Sequence, residues 1–178
     1  MNCRKLEGKN IGFFGGAFSP IHKGHIEIVE KVISLNLVNN IIIVPSSDYY
    51  EKADLSPSKI RVSLLKKAFK NVPKAIISLI DVSKNYFPTS METAEELKKT
   101  HLNHNQNLIW IMGGDRLHWI INNLNLEEIL EKYPIIVFER YAYNQSYFKN
   151  VIKSKKLKKI TFLPPVSNLS SAQIRKKS

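Results

Sequence analysis

Two histidines three residues apart, His22 and His25, sit at the start of an amphipathic stretch and directly after Gly15-Gly16-Ala17-Phe18-Ser19-Pro20. The apolar run Ile11-Gly12-Phe13-Phe14 comes before them, and Ile26 to Leu37 comes after. Read as strand, tight turn and helix, this stretch puts glycine backbone and two imidazoles at a helix N-terminus. The unpaired N–H groups of a first helical turn, aided by the helix dipole, favour an anion there. Gly15 and Gly16 lack a Cβ and let a ligand approach the main chain. The chemistry predicted is phosphate binding by Gly15, Gly16, His22 and His25. Metal ligation by the histidine pair is not expected, because no cysteine or third histidine lies near enough in sequence to complete a zinc set.

A second candidate lies near the C-terminus, in Leu169-Ser170-Ser171-Ala172-Gln173-Ile174-Arg175. Two serines at a helix start offer an N-cap and a spare hydroxyl, and Arg175 lies one turn beyond Ser171 on the same face. Hydroxyl, main-chain N–H and guanidinium together make an anion clamp suited to a β- or γ-phosphate. A third candidate is Gly113-Gly114-Asp115, at the end of the apolar run Leu108 to Met112.

These stretches must be positioned by the elements between them. Strands are expected at 9–14, 40–45, 75–80, 108–112, 134–138 and 160–163. Helices are expected at 24–35, 58–71, 88–100, 117–122, 126–132 and 146–154, with another opening at Ser170. Asn40 to Pro45 is apolar on both faces, as a buried parallel strand requires. Alternation of strand and helix at this spacing predicts an α/β fold, a Rossmann-like doubly wound sheet of about five or six mainly parallel strands with helices on both faces. Ligands of such sheets bind outside the carboxyl ends of the strands. All three candidate stretches fall at such ends and are expected to converge on one crevice.

Length and composition set the frame. The 178 residues are enough for a substantial core and are expected to form one domain, 1–178. No apolar run reaches the length of a membrane span. Glu7, Gly8 and Lys9 come soon after Arg4 and Lys5 and leave no room for an apolar segment, so no signal-peptide core is expected. A single cysteine, Cys3, excludes an internal disulfide framework. A cytoplasmic protein without a membrane partner is the reading these features support. The net charge of +12 raises the question of nucleic acid. The densest basic run, Lys149 to Lys159, has no aromatic interleaving beyond Phe148 and belongs to no nucleic-acid module, so nucleic acid is not expected as the partner. Positive charge that draws in anionic substrates is compatible with a nucleotide enzyme. Neither G-x-x-x-x-G-K-[ST] nor G-x-G-x-x-G is present, which excludes the P-loop and the dinucleotide fingerprint.

Gly15-Gly16-Ala17-Phe18-Ser19-Pro20-Ile21-His22-Lys23-Gly24-His25 and Ser170-Ser171-Ala172-Gln173-Ile174-Arg175 together resemble the nucleotidyltransferase superfamily with the HxGH signature. Within it the chain is most similar to the bacterial-type nicotinate-nucleotide adenylyltransferases, over essentially its whole length. The double glycine, Gly113-Gly114-Asp115 and the run Leu126 to Leu130 leading to Ile135–Phe138 and Arg140 favour that branch. Pro88-Thr89-Ser90-Met91-Glu92-Thr93 stands in the place of that family's Ser-Tyr-Thr-x-Asp-Thr.

The resemblance implies AMP transfer from ATP to nicotinate mononucleotide, giving deamido-NAD and pyrophosphate, with Mg²⁺ accompanying ATP. It implies catalytic roles for His22, His25 and Arg175. ATP would be held by those three and by Gly15, Gly16, Phe18, Gly24, Gly113, Asp115, Ser170 and Ser171. The mononucleotide would be held by Gly16, Ala17, Phe18, Lys52, Thr89, Thr93, Trp119 and Arg140. The chain departs from the family at Ala17 and Ser19, usually a small hydroxyl residue and Asp or Asn, and at Thr89, usually Tyr. The family's pyridine-stacking Trp falls on Asn123, with Trp119 one turn earlier as its substitute. The family also continues through a longer last helix than the three residues after Arg175, and a homo-oligomer is compatible with it. Nicotinamide mononucleotide as acceptor and pantetheine-phosphate adenylyltransferase are the enzyme alternatives, the latter sharing the end motifs but not the double glycine or Gly-Gly-Asp. A basic nucleotide- or nucleic-acid-binding module without catalysis is the alternative from another class.

Overall fold

The computed structural model describes residues 6–52, 54–140, 142–154 and 159–166. Within them the chain alternates strand and helix. The elements run β1 (Asn10–Gly16), α1 (Lys23–Ser34), β2 (Asn40–Pro45), α2 (Ser58–Ala68), β3 (Ala75–Ile77) and α3 (Ser90–His101). They continue with β4 (Asn107–Gly113), α4 (Gly114–Asn123), α5 (Leu126–Lys132), β5 (Ile135–Phe138), α6 (Gln145–Ser154) and β6 (Ile160–Leu163). The strands form one sheet in the order β3-β2-β1-β4-β5-β6, and every pairing is parallel. This is the expected doubly wound α/β architecture. No helix among the described residues is long and apolar enough to cross a membrane.

Side-chain alternation along the strands explains the two layers. Ile11 and Phe13 of β1 face one way, with Trp110 of β4 and Val137 of β5, and α3 to α6 cover them through Leu97, Leu117, Ile129 and Phe148. Phe14, Ile41, Ile43 and Ile111 face the other way and are covered by Val29 and Val32 of α1 and Leu65 of α2. Because both faces are buried, the central strands read as nearly continuous apolar runs. A Cβ at Gly12 would lie 2.7 Å from Ile111 Cδ1, so a larger residue in the middle of β1 would push the Ile111 side chain aside.

Strand order reverses between β1 and β4. Their carboxyl ends therefore part and leave a crevice, the general ligand position of such sheets. Several element boundaries differ from the sequence expectation: α2 ends at Ala68, three residues early, α3 opens two residues late at Ser90, and three others bear on the crevice. β1 runs two residues further, pairing Gly15 with Val44 and Gly16 with Pro45, so both glycines end the strand and the turn proper begins at Ala17. α4 begins at Gly114 and not at Leu117, which puts Asp115 in its first turn. β3 stops at Ile77, three residues early, with Ser78 N–H donating to Ile43 O as its last link to the sheet. The helix expected to open at Ser170 lies outside the described residues.

Candidate active site

The turn from Ala17 to His22 crosses the mouth of the crevice. Phe18 takes a left-handed backbone (φ 47°), and Ser19-Pro20 is cis. The left-handed residue costs about 1–2 kcal/mol, and burial holds it there. The Phe18 ring is 2% exposed and packs edge-on against Phe14 and His25, with centroids at 5.5 and 5.0 Å. The Phe18 ring also lies over Gly16, where a Cβ would come within 3.3 Å of it. Gly24 is buried in the first turn of α1.

His22 is the N-cap residue of α1, and His25 lies in its first turn. Their rings lie 3.7 Å apart between centroids. His25 Nδ1 accepts from the His22 backbone N–H at 3.2 Å. A nitrogen that accepts carries no proton, so the neutral His25 ring must bear its proton on Nε2. Burial, and then the nearby His22, Arg140 and Lys52 charges, push the His25 pKa down to about 3. His25 is therefore a neutral Nε2–H donor across the physiological range. His22 is also shifted down, by burial and by Arg140. Its Nδ1 is buried with no hydrogen-bond partner among the described residues.

Other loops bring cations to this pair. Lys52, after β2, and Arg140, after β5, both act electrostatically on His25. Arg140 Nε lies 3.7 Å from Asp115 Oδ1, tying the end of β5 to the start of α4. Gly114 lets α4 start here, since a Cβ would lie 2.9 Å from Tyr143 Cβ and closer still to the Tyr143 carbonyl oxygen. The structure thus brings together Gly15, Gly16, Ala17, Phe18, His22, Gly24, His25, Lys52, Gly113, Asp115 and Arg140. An imidazole donor flanked by cations at a helix N-terminus can hold a polyphosphate and stabilise charge growing on it. Among the described residues no three His, Cys, Asp or Glu side chains converge as a metal site.

The candidates on the ring side are placed differently. Thr89 is the N-cap of α3, accepting from Glu92 N–H while its own N–H donates to Glu92 Oε2 at 2.7 Å. Thr93 is 2% exposed, and its hydroxyl donates to Asp81 Oδ1 at 2.9 Å. The Thr93 side chain is therefore a tie between α3 and the loop before it, not a group open to a ligand. Trp119 is 43% exposed, but the Arg116 guanidinium lies over its ring at 4.2 Å and covers one of its two faces. Ser170, Ser171 and Arg175 lie outside the described residues.

Sequence reading missed Arg61. Its side chain is fully buried. Nε donates to Ser56 O at 2.7 Å, Nη1 to Ala17 O at 3.0 Å, and Nη2 to Ser46 O at 2.8 Å and to Asp48 Oδ1 at 2.9 Å. Ser19 works beside it, its Oγ accepting from Ser56 N–H at 2.9 Å. The β1–α1 turn is thereby fixed to the loop after β2. A signal existed: helical period puts Arg61 on one stripe with Leu65 and Phe69, where an arginine needs buried acceptors.

Comparisons with known proteins give the family and the fold. The cytidylyltransferase-like family matches residues 13–177. A probable nicotinate-nucleotide adenylyltransferase of Clostridium tetani is 32% identical over 175 residues, covering 95% of this chain and 86% of that protein. One of Helicobacter pylori is 28% identical over 145 residues, covering 81% and 82%. In fold, the chain matches Plasmodium falciparum nicotinic acid mononucleotide adenylyltransferase complexed with NaAD, with a TM-score of 0.75 over 95% of this chain and 83% of that one, at 23% identity. The chain belongs to the cytidylyltransferase-like family and, within it, to the nicotinate-nucleotide adenylyltransferases.

Proposed function

We propose that the chain transfers AMP from ATP to nicotinate mononucleotide in the cytoplasm. A 5′-phosphate oxygen of the mononucleotide attacks the α-phosphorus of ATP. The bond from that phosphorus to the bridging oxygen breaks, and pyrophosphate leaves with the bond's electron pair. No covalent enzyme intermediate is needed, so the protein's task is positioning and charge stabilisation.

The observation that carries this reading is the His22 N–H to His25 Nδ1 hydrogen bond, which leaves Nε2–H as the donor at the crevice. That proton is offered to a non-bridging α-phosphate oxygen as charge builds there. His22 lies against it and holds the triphosphate. Lys52 and Arg140 supply positive charge, Arg140 on the mononucleotide phosphate. Asp115, already paired with Arg140, accepts from a ribose hydroxyl. Ser170, Ser171 and Arg175 take the β- and γ-phosphates, a role that rests on the sequence motif alone. A divalent ion would arrive on the ATP phosphates and be held largely by phosphate and water. Mg²⁺ so carried would offset the triphosphate charge.

Pyrophosphate release from ATP, measured with nicotinate mononucleotide, nicotinamide mononucleotide and phosphopantetheine in turn, tests the reading. Turnover with a pyridine mononucleotide is expected; release with phosphopantetheine alone, or with none, refutes it. His25→Ala is expected to lower kcat by about 10²–10³-fold while ATP binding changes little. Unchanged turnover in that variant would remove His25 from the mechanism.

A further inference from the structure

The arginines among the described residues are Arg61, Arg116 and Arg140. Arg61 is paired with Asp48 and Arg140 with Asp115. Arg116, half-buried in the first turn of α4, makes no ion pair among the described residues. One of its five donors is used, Nη2 to Ser90 Oγ at 3.1 Å, and its planar face rests on Trp119 at 4.2 Å. A guanidinium that has left water without a carboxylate is costly, and an incoming anion relieves that cost. Burial accordingly lowers its pKa, while Tyr50 and Asp115 are near enough to oppose the shift.

Its surroundings say what kind of anion fits. Tyr50, from the loop after β2, stacks on Phe87, from the segment before α3, with centroids 4.6 Å apart and planes 29° apart. Ser90 opens α3, and Trp119 and Arg116 come from α4. The segments that follow β2, β3 and β4 thus supply aromatic rings near one cation that makes no ion pair among the described residues. Asp115, the preceding residue, links this wall to Arg140 and the phosphate side. A planar ring bearing a carboxylate matches that wall: the rings face the ring, and the guanidinium fork takes both carboxylate oxygens.

We propose that Arg116 is a specificity-determining residue that selects an acceptor whose aromatic ring carries a carboxylate over the same acceptor with a carboxamide. The inference rests on the adenylyl-transfer reading. Arg116 is held ready by Ser90 and Trp119, and the neutral carboxamide leaves its charge unanswered.

The test compares kcat/KM for nicotinate and nicotinamide mononucleotides in the wild type, Arg116→Gln and Arg116→Lys, with the KM for ATP and the urea midpoint as controls. The wild type is expected to prefer the acid. Arg116→Gln is expected to lower kcat/KM for the acid by about 10- to 100-fold, the range for one charge-assisted contact. The amide and ATP values should stay within about twofold. Arg116→Lys, which keeps the charge but not the fork, should fall between the two. An acid-to-amide ratio that is unchanged in Arg116→Gln, in an enzyme that turns over the acid, overturns this inference and leaves the adenylyl-transfer reading standing. A wild type that turns over neither mononucleotide overturns both.

Discussion

Replacing Arg61 by Met tests how the phosphate turn is held. Met keeps an unbranched apolar stem and removes every donor. The carbonyls of Ser56, Ala17 and Ser46 then lose their partner, while Asp48 keeps its two hydrogen bonds from Ser58. Asp48 is half exposed and regains water easily. Ser46 is 8% exposed, so its orphaned carbonyl bears most of the desolvation penalty. An unsatisfied buried group costs about 1–3 kcal/mol, and the three carbonyls together set the expected loss at about 3–5 kcal/mol, the usual range for breaking a buried charged network. Urea unfolding measures it: with m near 2 kcal/mol/M, the midpoint falls by about 1.5–2.5 M. Asp48→Asn separates the causes. The carbonyl clamp predicts that it costs only about 1 kcal/mol, because the carboxylate is the exposed partner. A loss in Arg61→Met below about 1 kcal/mol, or one matched by Asp48→Asn, would refute the clamp.

Two further predictions concern titration. Asp81 is 8% exposed, and burial lifts its carboxyl to about 6 against the opposing hydrogen bond from Thr93. Its unfolded value is about 3.9, so the folded state binds the proton more tightly between about pH 4 and 6 and stability falls as pH rises through that window. Asp81→Asn keeps the acceptor for Thr93 and does not titrate; its stability relative to wild type should rise by about 2–3 kcal/mol from pH 4 to pH 6.5 and then level off, and a flat difference would be the contrary result. At His25, long-range ¹H–¹⁵N spectra at pH 7 should show the proton on Nε2, with no protonation of the ring above about pH 4; a proton on Nδ1 would remove the donor assigned to catalysis.

Much of this protein is legible without coordinates, because its strands are buried on both faces. Asn40-Ile-Ile-Ile-Val-Pro45 admits few other readings. Two of the elements whose ends differ from expectation are those where glycine carries two meanings. Gly15 and Gly16 read as a turn, yet they close β1 because their neighbours Val44 and Pro45 supply the pairing. Gly114 and Asp115 read as a loop, yet they open α4, where the glycine is demanded by Tyr143, far along the chain. The histidine pair is visible because its spacing is local. The placement of Thr93 is not, since its partner Asp81 is a buried carboxyl in a loop whose path no periodicity reports.

The departures at positions 17 and 19 have a physical account in the same terms. Arg61 takes the carbonyl of Ala17, so the side chain at 17 contributes nothing to that hold. Ser19 needs only one acceptor oxygen for the Ser56 N–H, which its hydroxyl provides. Both contacts end on the segment between β2 and α2 and on α2 itself. That segment also carries Lys52, which acts on His25, and Tyr50, which lies beside Arg116. One loop therefore connects the phosphate turn to the aromatic wall. Loosening it at Arg61 should weaken both ends of the crevice together, whereas loss of Arg116 should be felt at the ring end alone.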